Sequence, residues 1–201
     1  MSRVVEVPEI RILDKLDLPR DDTVVLVIDM QNDFVDPRGK LYVPGSEKII
    51  ENIKYLISEA RRSGVPIIYT QDWHRRDDPE FRIWSEHAVA GTWGAEIVDS
   101  LRPSESDYVI KKIRYDAFYG TELDHLLSRV LKRNHIFATG VVANICVLHT
   151  LSSAALRYYN IATSIDSIAA LNEFDLYATL RQIDFLYKGS IVRSVRDVRF
   201  I

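Results

Sequence analysis

Three side chains of this sequence could together carry out nucleophilic chemistry: a thiol, a carboxylate and an ammonium group. Cys146 follows an apolar run that ends at Gly140, and it precedes a segment with helical periodicity. A thiol at a helix N-terminus is favoured as the thiolate, and the free backbone N–H groups there can receive a developing oxyanion. Cysteines more often serve only as buried packing residues, so a nucleophile needs a base and an orienting partner.

Asp29 and Lys112 are the candidate partners of the thiol. Asp29 follows the apolar run VVLVI, where an unpaired carboxylate is unfavourable, and Lys112 ends another predicted strand beside Lys111. Asp29 could take the thiol proton while Lys112 stabilises the anionic pair. The alternatives are a solvated carboxylate at a strand end and a solvated lysine.

The segment 71–93 is polar and aromatic, and it could hold a divalent metal ion. Asp72 and His74 are two residues apart, so in an extended segment they face the same way. Glu80 and His87 follow in the same segment. Two histidines with one or two carboxylates suit Zn²⁺, Fe²⁺ or Mn²⁺. Loops of this composition are more often solvated or salt-bridged, so both interpretations stay open on spacing alone.

The elements that must position these side chains follow from an alternation of apolar runs and amphipathic segments. Strands separated by helices pair in parallel through right-handed crossovers, which predicts one doubly wound, Rossmann-like α/β sandwich with a central parallel sheet of about six strands. Ligands of such sheets bind beyond the carboxyl ends of the strands. The predicted strands are 24–30, 65–70, 107–112, 135–140, 161–165 and 190–195, and the predicted helices are 46–63, 121–133, 145–158 and 173–187.

Length and composition restrict the class of protein. The chain has 201 residues, of which 47% are hydrophobic, and a net charge of −3. It is therefore expected to be folded rather than predominantly disordered, and it lacks the basic composition of a nucleic-acid binder.

We predict an N-terminal arm over residues 1–22, packed on the domain or on a partner subunit, and a single domain over residues 23–201. No stretch reaches the length of a membrane span. The single cysteine is typical of a cytoplasmic protein.

Four motifs, in order, make the sequence similar to a known superfamily. They are VVLVIDMQNDF, DWH…HAVAGTWGAE, VIKKIRYDAF and TGVVANICV. Together they resemble the cysteine-hydrolase, or isochorismatase-like, superfamily, which contains nicotinamidases, isochorismatases and N-carbamoyl amidohydrolases. The resemblance extends from about residue 23 to the C-terminus.

The resemblance implies roles for individual residues. It implies a catalytic triad of Asp29, Lys112 and Cys146. It also implies a non-proline cis peptide at Val141–Val142, which would aim the Val142 N–H, together with that of Cys146, into an oxyanion hole. The second motif is similar to the nicotinamidase branch in particular. The positions that match its metal ligands are Asp72, His74, Glu80 and His87, and those that match or close its ring pocket are Phe34, Trp84 and Tyr115.

The function implied is that of a hydrolase that releases ammonia from a small amide, nicotinamide first, through a thioester. The resemblance further implies a divalent metal ion, no organic cofactor, and a homodimer or homotetramer. Other features favour other members of the superfamily. Residues Arg114–Phe118 are more similar to isochorismatases and carbamoyl amidases, and residues Asp77–Phe81 are more similar to archaeal proteins like N-carbamoylsarcosine amidase. Ile145 stands where nicotinamidases often have a histidine. An N-carbamoyl or ureido amidohydrolase, an isochorismatase and a non-enzymatic binding module are therefore the alternatives.

Overall fold

The structure, a computed structural model, describes Val4 and residues 6–201, and it confirms the predicted parallel sheet. Its strands are β1 (Leu16–Leu18), β2 (Thr23–Ile28), β3 (Ile67–Asp72), β4 (Tyr108–Lys112), β5 (His135–Gly140), β6 (Asn160–Ile168), β7 (Ser190–Val192) and β8 (Val198–Phe200). Six of them form one sheet in the order β4-β3-β2-β5-β6-β7, and every neighbouring pair is parallel. This order and the crossovers between strands make the chain a doubly wound α/β fold.

Helices connect the strands of the sheet, as the alternation predicts, except for β3 and β4, between which the structure has short 3₁₀ turns. The α-helices are α1 (Asn32–Val35), α2 (Ile50–Arg62), α3 (Leu123–His125), α4 (Leu148–Leu156) and α5 (Glu173–Arg181). Leu126–Leu131 and Gln182–Leu186 continue α3 and α5 as π-helical turns, and Ala143–Val147 precedes α4 in the same form. Short 3₁₀ turns cover Arg20–Asp22, Ser46–Ile49, Pro79–Arg82, Trp93–Ala95, Asp99–Leu101 and Val195–Asp197. None of the helices in the described part of the chain is both long and apolar enough to cross a membrane.

Strand β2 lies in the middle of the sheet and is buried along its whole length. Because successive side chains of a strand point to opposite faces, Val25 and Val27 belong to the core that also contains the apolar face of α2. Val24, Leu26 and Ile28 belong to the second core, which contains side chains of α3, α4 and α5. Burial on both faces explains why this strand reads as a continuous apolar run.

The described part of the predicted arm packs on its own domain. β1 pairs in parallel with β8, so that Leu16 lies opposite Val198 and Leu18 opposite Phe200. These three-residue strands are too short for a recognisable periodicity, and neither was predicted. Residues 1–3 and 5 of the arm lie outside the described residues.

The carboxyl ends of β2 and β5 meet at close range. Ile28 is the register partner of Gly140, which has a φ of +114°. A Cβ at Gly140 would collide with the carbonyl of Ile28, so only glycine fits there. This approach places Asp29, which follows β2, beside the turn that leads from β5 to Cys146.

Candidate active site

Four strands and their following turns bring together side chains that are far apart in sequence. Asp29 follows β2, Asp72 and Lys112 end β3 and β4 as register partners, and Cys146 lies in the turn of helix after β5. One atom each from Asp29, Asp72 and Cys146 lies within 4.8 Å of the other two. The three residues proposed as a triad are therefore neighbours, and Asp72 is a fourth member of the group.

Lys112 lies at the centre of this group. Its Nζ is 2.7 Å from Asp29 Oδ2, 2.5 Å from Asp72 Oδ1 and 3.6 Å from Cys146 Sγ. Its side chain is 0% exposed, so the ammonium is held by two carboxylates rather than by water. The sequence assigned Asp72 only to a metal site, because nothing in the spacing indicates an ion pair between residues 40 positions apart.

Burial decides the protonation state of the thiol. Burial raises the pKa of Cys146 well above its usual value, and the charges of Asp29 and Asp72 add to this against the opposing effect of Lys112. The thiol therefore keeps its proton in the resting protein. This differs from the thiolate expected at a helix N-terminus, because burial and the charges of Asp29 and Asp72 oppose the anionic form of the thiol.

The two partners of the thiol have pKa shifts of different origin. Burial raises the pKa of Asp29, while the charge of Lys112 partly opposes the shift. Burial alone would lower the pKa of Lys112, but the charges of Asp29 and Asp72 outweigh it and raise that pKa well above its usual value. Lys112 is thus an ammonium at all pH values near neutrality, and it favours the ionised form of the neighbouring carboxylates.

Thr70 orients the Asp29 carboxylate. The Thr70 hydroxyl donates to Asp29 Oδ1 at 2.6 Å, and the Asp29 N–H approaches Thr70 Oγ1 at 3.2 Å. Asp29 has a φ of +51°, a conformation that aspartate tolerates better than most residues. Thr70 was not among the predicted site residues. Its only signal in the sequence is its place two residues before Asp72, at the same strand end.

The turn before Cys146 contains the cis peptide bond Val141–Val142 that the resemblance implies. The Val142 carbonyl accepts hydrogen bonds from the N–H groups of Ile145 and Val147. Within the described residues the N–H of Val142 itself donates to no backbone carbonyl. It is therefore available to a ligand, as the oxyanion role requires.

Three of the four predicted metal ligands form a buried cluster. One ligand atom each from Asp72, His74 and His87 lies within 4.8 Å of the other two. His74 Nδ1 is 3.1 Å from Asp78 Oδ2, and His87 Nδ1 is 2.7 Å from the carbonyl of Ser85. These bonds leave the Nε2 atoms for a ligand, and His74 Nε2 is buried without a hydrogen-bond partner in the described part of the chain. Two imidazoles and a carboxylate fit a divalent ion such as Zn²⁺.

Glu80, the fourth predicted ligand, lies outside this three-residue cluster. Its carboxylate is 3.5 Å from a guanidinium nitrogen of Arg114, which is also 3.0 Å from Asp78 Oδ1. Glu80 is buried and borders the same cavity as Asp72 and His87. Arg114 and Asp78 therefore form a second layer around His74, and no spacing rule in the sequence indicated it.

A cavity of about 280 Å³ opens above the thiol. The three aromatic residues predicted for a ring pocket all lie on its wall, and Trp84 Nε1 donates to the Tyr115 hydroxyl at 2.7 Å. This volume suits a small molecule with the size of a single substituted ring. The wall and floor consist of Asp29, Phe34, Lys40, Leu41, Tyr42, Val43, Asp72, Glu80, Trp84, His87, Tyr115, Val141, Val142, Ile145, Cys146 and Leu171.

Comparison with known proteins identifies a family whose members are similar to this chain over most of its length. The sequence profile of the Isochorismatase domain family matches residues 23–197. A protein of Arabidopsis thaliana named probable inactive nicotinamidase is 34% identical over 162 residues, which cover 74% of this chain and 81% of the relative. A ureidoacrylate amidohydrolase of Serratia proteamaculans is 30% identical over 195 residues, which cover 83% of this chain and 77% of the relative.

Solved structures share the fold over most of the chain. An N-carbamoylsarcosine amidase of Thermoplasma acidophilum superimposes with a TM-score of 0.78 at 36% identity, covering 86% of this chain and 96% of that one. A pyrazinamidase of Pyrococcus horikoshii, solved in complex with zinc, has a TM-score of 0.80 at 28% identity, covering 86% of this chain and 99% of that one. Proteins similar to this chain thus include enzymes named for ureido, carbamoyl and ring amides.

Proposed function

The chain belongs to the isochorismatase family of hydrolases, and we propose that it is a cysteine-dependent amidohydrolase that releases ammonia from a small amide. The observation that carries the proposal is the contact of Lys112 with both Asp29 and Cys146 at the floor of the cavity. A protonated thiol beside an oriented carboxylate and a fixed ammonium is the arrangement that nucleophilic attack on an amide requires.

In the proposed acylation, Asp29 removes the Cys146 proton as Sγ attacks the carbonyl carbon of the substrate. The carbonyl oxygen becomes an oxyanion, which the N–H groups of Val142 and Cys146 receive. When the C–N bond breaks, Asp29 returns its proton to the leaving nitrogen and ammonia departs. Lys112 stays protonated throughout and stabilises the negative charge that moves between carboxylate and sulfur.

In the proposed deacylation, a water molecule attacks the thioester. Asp29 accepts a proton from the water, the C–S bond breaks, and the proton passes to the departing sulfur of Cys146. The products are a carboxylic acid and the free enzyme. Asp29 is therefore the base in both half-reactions. It takes a proton from the resting thiol in acylation and from water in deacylation.

Asp72, His74 and His87 would hold a divalent metal ion, with Glu80 at the same cavity as a candidate fourth ligand. When bound, such an ion supplies a Lewis-acidic site that can bind a ring nitrogen or a water molecule. The likeness to a pyrazinamidase solved with zinc supports this assignment. Asp78 would keep His74 in the tautomer with a free Nε2.

Two substrate classes have support. Phe34 and Trp84 provide aromatic walls for a planar ring, which supports nicotinamide. The likeness to an N-carbamoylsarcosine amidase and to a ureidoacrylate amidohydrolase supports a carbamoyl or ureido acid, whose hydrolysis uses the same triad. The relative named probable inactive nicotinamidase keeps a non-catalytic alternative open to test.

The test is ammonia release from purified protein of known metal content, with nicotinamide and N-carbamoylsarcosine as substrates. The proposal is supported if the unmutated protein releases ammonia and the Cys146→Ala variant, shown to be folded, does not. Full activity of that variant would exclude a thiol nucleophile and would favour isochorismatase-type hydrolysis. No release from either compound, together with ligand binding, would favour a binding module.

We also propose, from the superfamily resemblance and the single cysteine, a cytoplasmic homodimer or homotetramer. Light scattering of the purified protein measures the oligomeric state. A mass of one chain, 23.2 kDa, would refute the oligomer.

A further inference from the structure

We propose that Lys40, at the mouth of the active-site cavity, binds an anionic group at the end of the substrate opposite the scissile amide. The enzyme would then prefer amides or ureides that carry a carboxylate. This inference rests on the amidohydrolase function proposed above and names the substrate class of the same site.

The charges around the cavity place the anion at its mouth. Three carboxylates, those of Asp29, Asp72 and Glu80, border the cavity, and Lys40 is the single cationic side chain among its described lining residues. Lys112 lies beneath the floor with its Nζ already bound to two carboxylates. In the metal-free protein an anionic group is therefore disfavoured near the thiol and favoured near Lys40, which orients the amide toward Cys146.

Lys40 extends from a fixed point of the backbone. The buried carboxylate of Asp33 accepts a hydrogen bond from the Lys40 N–H at 3.1 Å and from the Ala88 N–H at 2.8 Å. Gly94 packs so closely on this carboxylate that a Cβ there would collide with it. One buried group thus joins the segment that carries Lys40 to the segment that carries Glu86 and His87.

The present partner of Lys40 is one that a substrate can replace. Lys40 Nζ is 2.8 Å from Glu86 Oε1, and the two side chains are 50% and 47% exposed. Ion pairs exposed to this degree add little to stability, so a substrate carboxylate can take the place of Glu86. The competing interpretation is that the pair only closes the mouth of the cavity.

Two single variants separate these interpretations. If the pair only closes the mouth, Lys40→Met and Glu86→Gln break the same contact and have the same effect. If Lys40 is the anion-binding residue, Lys40→Met removes the receptor while Glu86→Gln removes its competitor. The effects on an anionic ligand are then opposite in sign.

The experiment measures the Kd of N-carbamoylsarcosine and of its uncharged methyl ester by calorimetry in metal-free Cys146→Ala protein, which cannot turn them over. The same measurement is made after adding Lys40→Met, Glu86→Gln or Lys48→Met. Lys48→Met is the matched control, because Lys48 is an exposed lysine that does not border the cavity. Thermal unfolding confirms that each variant is folded.

We expect the acid to bind more tightly than the ester in the parent protein. Lys40→Met should weaken binding of the acid about tenfold, as loss of one charge-assisted hydrogen bond does, and should leave the ester unchanged. Glu86→Gln should strengthen binding of the acid, and Lys48→Met should change neither ligand. Equal weakening by Lys40→Met and Glu86→Gln, no preference for the acid in the parent, or no binding of either compound would each overturn the proposal.

Ammonia release by the unmutated protein is measured separately. Preference for the acid without turnover would overturn the amidohydrolase function while supporting the role of Lys40. Turnover without preference for the acid would support the amidohydrolase function and overturn the role of Lys40.

Discussion

Replacing Lys112 by methionine should lower the free energy of unfolding by about 3–5 kcal/mol at pH 8, because it leaves two buried carboxylates without their counter-ion. The Lys112 side chain is fully buried, and its Nζ lies 2.7 Å from Asp29 and 2.5 Å from Asp72. Methionine fills a similar volume without a polar atom. The cost is therefore electrostatic and does not come from a cavity.

Lys111→Met is the matched control for this variant. Lys111 is the preceding residue of the same strand, but it is exposed, and its Nζ lies 3.8 Å from the centre of the Trp73 ring. An exposed contact of this kind contributes at most about 1 kcal/mol. Both variants lose one positive charge from adjacent positions. A larger loss of unfolding free energy in Lys112→Met than in Lys111→Met therefore reports the buried contacts of Lys112 with Asp29 and Asp72.

The deficit of Lys112→Met should depend on pH. Without the ammonium, burial raises the pKa of both Asp29 and Asp72 above the values in the unfolded chain. Raised carboxyl pKa values favour the folded state at low pH, and this contribution is lost as the pH rises through them. The deficit relative to the unmutated protein should therefore be smaller at pH 5 than at pH 8.

Urea denaturation followed by circular dichroism at pH 5, 6.5 and 8, with a chelator present, measures these differences. The chelator removes any contribution from metal binding at Asp72. Equal deficits for Lys112→Met and Lys111→Met, or a deficit of Lys112→Met that grows as the pH falls, would refute this account of the buried group.

Three further predictions concern the same site. Cys146→Ala should reduce ammonia release by at least about 10³-fold, as loss of a nucleophile does, with the unfolding temperature nearly unchanged; residual activity near the original level would contradict the thioester route. Asp78→Asn should weaken zinc binding by about 10–100-fold, because Asp78 orients His74, and a competitive zinc titration that shows no change would exclude that role. Gly94→Ala should destabilise the fold by about 1–3 kcal/mol through collision with Asp33, which thermal unfolding would show or contradict.

The sheet could be predicted from the sequence because its strands are buried on both faces. Such strands read as apolar runs between amphipathic helices, and all six predicted strands are present. Their ends were less predictable. The predicted strand 24–30 stops at Ile28, since Asp29 adopts a positive φ and turns the chain toward the site. The pairing of β1 with β8 could not be predicted, because it joins two three-residue segments from opposite ends of the chain.

The sequence by itself determined which chemical groups reach the carboxyl edge of the sheet. The end of a buried strand is recognisable from its apolar run, and parallel strands bring the residues after them to one edge. Asp29, Lys112 and Cys146 were found in this way, whereas Asp72, His74 and His87 were singled out by their residue types in the segment 71–93 and by the family resemblance.

Only the tertiary structure decided how these groups share charge and protons. The ion pair of Lys112 with Asp72, the hydrogen bond of Thr70 to Asp29 and the contact of Glu80 with Arg114 all join different elements. Local patterns report which face a side chain takes, but not its distance from a group dozens of residues away. Protonation depends on that distance and on burial, since removing water penalises a charge unless an opposite charge lies within a few ångströms. For this reason the resting thiol keeps its proton despite its place near a helix N-terminus.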